Sequence, residues 1–163
     1  MVVISVIGIL SAIVYANFGS ARAGARDDVR KAALKELQLA VELYKAQNGV
    51  YPAQGCGTGS AYAGPGTHPA WGCTSEEYIV GLVPEFIAEL PIDPVNEYEH
   101  GKGYLYASDG ANYKIFAHDS VEQKFVTSYE DEFARCPGNI GPSCLLENMA
   151  THYAVYSAGA VDW

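Results

Sequence analysis

The stretch that decides the fold is Met1–Phe18, MVVISVIGILSAIVYANF, eighteen residues without a charge at the head of a 163-residue chain. A bilayer core takes about 20 apolar residues to cross as a helix, so this run is long enough to be buried in lipid or against other apolar helices. The pattern does not stop at Phe18. Strong helix formers fill Ala32 to Ala40, and the next helix breakers are Gly49 and Pro52. The expectation is therefore one helical stem from the N-terminus to Asn48, about 70 Å long at 1.5 Å per residue. A signal peptide is the competing reading of the run. It would want a basic leader and a small-x-small cleavage site, whereas here the apolar run passes directly into an amphipathic helix.

Within the second half of the stem, Leu34, Leu37, Val41 and Tyr44 recur at spacings of three and four, a stripe that faces a core. Leu39 and Leu43 fall on the other side. Two apolar faces on one helix call for two partners, one within the subunit and one outside it. The chain divides accordingly into residues 1–25, the hydrophobic half-stem, and residues 26–163, a globular head that includes the other half.

Charge is split the same way. Residues 1–50 hold six Lys/Arg against four Asp/Glu, net +2, and residues 51–163 hold four against fifteen, net −11, giving −9 together. So acidic a head repels phosphate backbones, and nucleic acid is excluded as a primary partner.

All four cysteines, Cys56, Cys73, Cys136 and Cys144, lie in the head. An even number in glycine-rich loops points to disulfides formed outside the cytosol. This outweighs Arg22 and Arg26, which flank the apolar run and by the positive-inside tendency would hold that side in the cytoplasm. Of the three possible connectivities, Cys56 with Cys73 and Cys136 with Cys144 closes the shortest loops and is the one expected. Zinc is the rival reading, but its sites want C-x₂₋₄-C pairs and these spacings are far longer.

Beyond the stem, Tyr51–Thr74 reads as a Gly, Pro and Ala-rich loop. Glu76–Glu89 reads as a short helix started by Ser75, with Tyr78, Ile79, Leu82 and Phe86 on one side and a turn or kink at Pro84. Tyr104–Ala107 and Tyr113–Ala117 flank an Asp109-Gly110 turn, which makes a β-hairpin. Val121, Phe125, Tyr129 and Phe133 recur every four residues and predict another helix over Ser120–Ala134. Tyr153–Ser157 supplies a third strand. The fold class is α+β: a long N-terminal helical stem and a small head with a short antiparallel sheet.

Several of these segments carry a resemblance. VVISVIGILSAI at residues 2–13, the mixed-charge helix after it and the closing Asn48-Gly49-Val50-Tyr51-Pro52 resemble the N-terminal half of bacterial type IV pilins and of the major pseudopilins of type II secretion. Leu82-Val83-Pro84-Glu85-Phe86, Leu90-Pro91-Ile92-Asp93-Pro94 and the tyrosine-rich hairpin are similar to the pseudopilin-like branch. The likeness covers about two thirds of the chain and fades after His118. It implies a filament-core surface made of Val2, Val3, Ile4, Val6, Ile7, Gly8, Ile9, Leu10, Ile13, Val14 and Phe18, and a stem-to-head contact made of Leu34, Leu37, Val41 and Tyr44.

Members of that family open with a phenylalanine, a short run and a glutamate ahead of VVI, so the expectation is that a short stretch is missing before Met1. Ala16 stands where many members have a kinking proline. Disrupted helical bonding is then expected somewhere between Gly8 and Gly24, at the glycines.

The function implied is a structural one: a homopolymer of identical subunits, held in the inner membrane before assembly by pilus machinery and extracellular afterwards. The alternatives are a type II secretion pseudopilin and, from another class, a membrane-anchored monomeric binding module. No enzyme is implied, since His68, His100, His118 and His152 are scattered and neither G-x-S-x-G nor a P-loop occurs. Glu130, Asp131 and Glu132 read as a solvated face. No cofactor is implied beyond the calcium that pseudopilins hold in a head loop, for which Asp109, Asp119 and Glu122 would be the oxygen donors; the spacing is not that of a D-x-D-x-D-G loop.

Overall fold

The computed structural model describes residues 2–56, 62–66, 68, 72–73, 77–138, 144–145, 149–161 and 163, and within these not the side chains of residues 2, 9, 10, 12–17 and 99. Helix α1 spans Val2–Asn48, 47 residues. It ends where Gly49 takes φ +80 and donates its N–H to the Lys45 carbonyl at 2.8 Å, a left-handed C-cap that a glycine enters without steric cost. The side chain of Asn48 donates to the Tyr44 carbonyl at 3.0 Å and helps close the last turn.

Between Gly8 and Gly24 the helix shows no break. The disruption is expected of stems packed in a filament; in one chain glycine lowers helix stability by only about 1 kcal/mol relative to alanine, while a proline would remove a hydrogen bond outright.

Against one face of the second half of α1 lies a three-stranded antiparallel sheet in the order β3-β4-β5, with β3 at Gly103–Ser108, β4 at Tyr113–His118 and β5 at Tyr153–Tyr156. The β3–β4 turn is fixed by Asp109, whose Oδ1 accepts the N–H groups of Ala111 and Asn112 at 2.8 and 2.6 Å, and by Gly110 at φ +83. Alternation along the strands sends Tyr104, Tyr106, Tyr113, Ile115, Tyr153 and Val155 inward. There they meet Leu34, Leu37 and Val41, all fully buried, with Tyr44 partly buried at the margin. Complete burial of such a side chain contributes about 1.5–3 kcal/mol.

The free edge of β3 is partly covered by the preceding loop, where Ala63 exchanges both backbone hydrogen bonds with Tyr106 at 2.8 and 2.7 Å. Two short strands in that loop, β1 (Gly64–Pro65) and β2 (Gly72–Cys73), pair in parallel. Disulfides join Cys56 to Cys73 and Cys136 to Cys144.

Two expected helices are absent. Ser75 and Glu76 lie outside the described residues, and 77–90 is a string of turns. Its backbone is used elsewhere, since Gly55 N–H bonds the Tyr78 carbonyl and Val80 N–H the Ala53 carbonyl. Gly81 at φ +79 lies in the left-handed region, outside a right-handed helix. Tyr78, Ile79, Leu82 and Ile87 are still buried in the core.

Ser120–Ala134 is also irregular. The Val126 N–H goes to the Ala150 carbonyl at 3.1 Å, where a helix would send it to Glu122, and the Phe133 carbonyl accepts the Ala154 N–H at 2.9 Å. Val121 and Phe133 are buried while Phe125 is 47 % exposed, so the four-residue repeat does not mark a single face.

Candidate functional site

The described part of the N-terminal half of α1 touches solvent. Val3, Ile4, Val6, Ile7 and Phe18 are exposed at 69, 75, 48, 58 and 53 %. Gly8 is exposed too, and a Cβ added there would meet nothing within 4 Å. Val2, Ile9, Leu10, Ile13 and Val14, also expected in a packing core, have side chains outside those described. Among the described residues no helix is long and apolar enough to cross a membrane; Met1 and the side chains of residues 2, 9, 10 and 12–17 lie outside them. Leu39 and Leu43, 61 and 48 % exposed, continue an uncovered apolar surface up the side of the stem away from the sheet, together with Val29 at 53 %. Isolated exposed leucines are ordinary, but a row of large apolar side chains along one rod marks an interaction surface.

The rod is joined to the head by a buried ion cluster. One turn along α1, Asp27 and Arg30 are at most 1 % exposed. Arg30 donates from Nε and Nη2 to the two carboxylate oxygens of Asp93 at 2.7 and 3.0 Å. Its Nη1 reaches Asp27 Oδ1 at 3.0 Å and Glu122 Oε1 at 2.8 Å. Arg26 makes a second two-pronged contact to Glu122, through Nε at 2.7 Å and through Nη2. Asp27 also accepts the N–H groups of Glu122, Gln123 and Lys124 at 3.1, 2.8 and 2.9 Å.

The charges on Asp27, Arg30 and Asp93 are thus compensated where water is absent, which is what burying them requires, while Arg26 and Glu122 stay partly exposed. Burial opposes the charge on Arg30, yet the hydrogen bonds it donates to Asp93 and Glu122 raise its pKa above the ordinary value. The Arg26 hydrogen bond leads in pulling the Glu122 carboxyl down to about 2. Two loops far apart in sequence, around residues 93 and 122, are pinned to the stem at one place.

Nothing in the sequence reading singled out Asp27, Arg30 or Asp93 as a cluster. The only available signals were the acidic-basic spacing of Asp27 and Arg30 and the prolines that bracket Asp93.

The three proposed calcium donors are not brought together. Asp109 caps its own turn at one end of β4, and Asp119 and Glu122 follow the other end, about 20 Å away at 3.3 Å per residue. Asp119 accepts from Thr151 and Glu122 from the arginines. Among the described residues no group of three or more His, Cys, Asp or Glu side chains could hold a metal. His118 and His152 meet edge to face, 4.6 Å between ring centres, and burial lowers the pKa of His118. Glu130 and Glu132 are exposed, and Asp131 caps the Phe133 N–H at 2.9 Å.

Comparison with protein-family profiles, with curated proteins and with solved structures finds no match to this chain.

Proposed function

We propose that this chain is the repeating structural subunit of an extracellular filament of the type IV pilin kind, polymerising through the apolar half of α1. The observation that carries this reading is the division of one unbroken helix: Leu34, Leu37 and Val41 are fully covered by the chain's own head, while Val3, Ile4 and Ile7 on the same helix are bare. Apolar side chains in such a row are stable only when removed from water. In lipid they are covered before assembly; in a bundle of stems they are covered by the same residues of other copies. Transfer from one to the other is nearly balanced in solvation, so assembly costs little and each added subunit repeats one heterologous interface, which extends without closing.

The buried cluster at Asp27, Arg30, Asp93 and Glu122 supports the reading, because a subunit held by its stem must transmit load to its head without the two parting. The disulfides support a place outside the cytosol for the head. Electron microscopy of the native protein after release from the membrane tests the proposal: filaments are expected, and a monomer that keeps its stem in lipid under every assembly condition would overturn it in favour of an anchored binding module.

A further inference from the structure

The face of the sheet turned away from the stem holds a cleft of about 470 Å³ lined by Gln54, Tyr62, Ala107, Ser108, Asp109 and Trp163. Small-molecule sites fall in the range of about 300–1,000 Å³ and combine apolar or aromatic walls with a few polar groups. Ala107 alternates with the inward Tyr106, and its lack of a long side chain leaves the space open.

The Tyr62 ring and the Trp163 backbone are held from behind. The Tyr62 ring packs edge-on against Phe116, 5.0 Å between centres at 86°. The Trp163 carbonyl accepts Lys114 Nζ at 2.9 Å. Lys114, the cross-strand partner of Ala107, is itself fully buried; it also donates to the Val161 carbonyl at 3.0 Å and lies 4.9 Å from the centre of the Tyr156 ring. Its charge is thereby engaged behind the cleft. At the rim stands exposed Asp109, whose turn bonds, led by the one from the Asn112 N–H, hold its pKa below the ordinary value.

A tryptophan, a tyrosine and an ionised carboxylate around one cleft are the elements that recognise an organic cation, since the ring faces are negative and tryptophan is the strongest of them. The surrounding head, four basic against fifteen acidic side chains over residues 51–163, draws cations toward it and repels anions. A pyranose would stack on the same rings but gains nothing from that field. We propose that this cleft binds a small organic cation, a quaternary ammonium or a guanidinium, with Tyr62 and Trp163 as walls and Asp109 as counter-charge. The assignment stands apart from filament assembly, because none of its residues lies on the stem.

The test uses the full chain in polyoxyethylene detergent micelles, which carry neither ammonium nor sugar headgroups. A Trp71→Phe background leaves Trp163 as the sole indole, because the chain has two tryptophans. Choline and Nα-acetyl-arginine amide are titrated against Trp163 emission, beside 3,3-dimethylbutanol, the neutral isostere of choline, and methyl glucoside. A saturable response to either cation is expected, about tenfold or more tighter than to the neutral isostere. Asp109→Asn, which keeps the side-chain oxygen of the turn, should weaken it by about the same factor. Ala107→Leu should abolish it by filling the cleft. Response to choline alone identifies a free or headgroup ammonium, and response to the arginine derivative alone identifies a protein side chain. No saturable response to either cation, an equal response to the neutral isostere, tighter binding of methyl glucoside, or a response untouched by Asp109→Asn would each overturn the assignment.

Discussion

Arg30 and Asp93, 63 positions apart in sequence, form a two-pronged ion pair at 2.7 and 3.0 Å with both side chains at most 2 % exposed. Replacing Arg30 by Met leaves Asp27 and Asp93 buried without their cation. Loss of one member of a buried pair typically costs about 3–5 kcal/mol. Urea denaturation of the Arg30→Met protein should show a loss of that order. Arg30→Lys should rescue little of it, because an ammonium does not span both oxygens of Asp93. A change under about 1 kcal/mol in either variant would mean that the cluster is not what joins stem to head.

Acid should weaken the same joint. The folded protein holds the Glu122 carboxyl near 2, well below the ordinary 4.5. A depressed carboxylate contributes stability above its unfolded value and loses it as pH falls toward the folded one. Stability should therefore be flat in Glu122's contribution above about pH 5 and decline between about 4.5 and 2. Denaturation measured across that window in the native protein and in Glu122→Gln checks this: the variant should be less stable at neutral pH and show a shallower acid slope. Identical slopes would remove Glu122 from the account.

Peptide mapping of the unreduced protein should recover Cys56 linked to Cys73 and Cys136 linked to Cys144. Reduction should lower stability by roughly 2–4 kcal/mol for each bridge. Four free thiols or bound zinc would contradict a head that matures outside the cytosol.

The legible parts of the fold were those decided locally. A stretch without proline from Val2 to Gly49, with strong helix formers over Ala32–Ala40, specifies α1, and Asp109-Gly110 between aromatic runs specifies the hairpin. Loop length was enough to choose the disulfide pairing. The two helices expected over 76–89 and 120–134 failed for tertiary reasons. In the first, Tyr78 and Val80 spend backbone groups on residues 53–55; in the second, the Val126 N–H goes to Ala150 and the Phe133 carbonyl to Ala154. Periodicity cannot register a partner that far along the chain. The Arg30 cluster was invisible for the same reason, and so was the cleft, whose walls come from residues 54, 62, 107 and 163.

On the stem, Ile7→Asp places a charge where the proposed filament offers no partner; at the centre of a bilayer such a charge costs about 3 kcal/mol on insertion scales. Assembly should be lost while the head keeps its disulfides and its near-ultraviolet circular dichroism. Leu10→Asp should behave the same way. Filaments of normal yield from either variant would show that this half of α1 is not the packing surface.

The central claim is that Val3, Ile4, Ile7 and Phe18, bare on the single subunit, are covered by the stems of other copies. A helical reconstruction of the native filament by electron cryomicroscopy measures this directly. The account expects a core of parallel stems about 8–10 Å apart with those four side chains between them. Residues 8–24 are the place to look for any local melting, which the single subunit does not show. A filament whose contacts are made only by the heads, with the first half of α1 outside the core, would contradict the account.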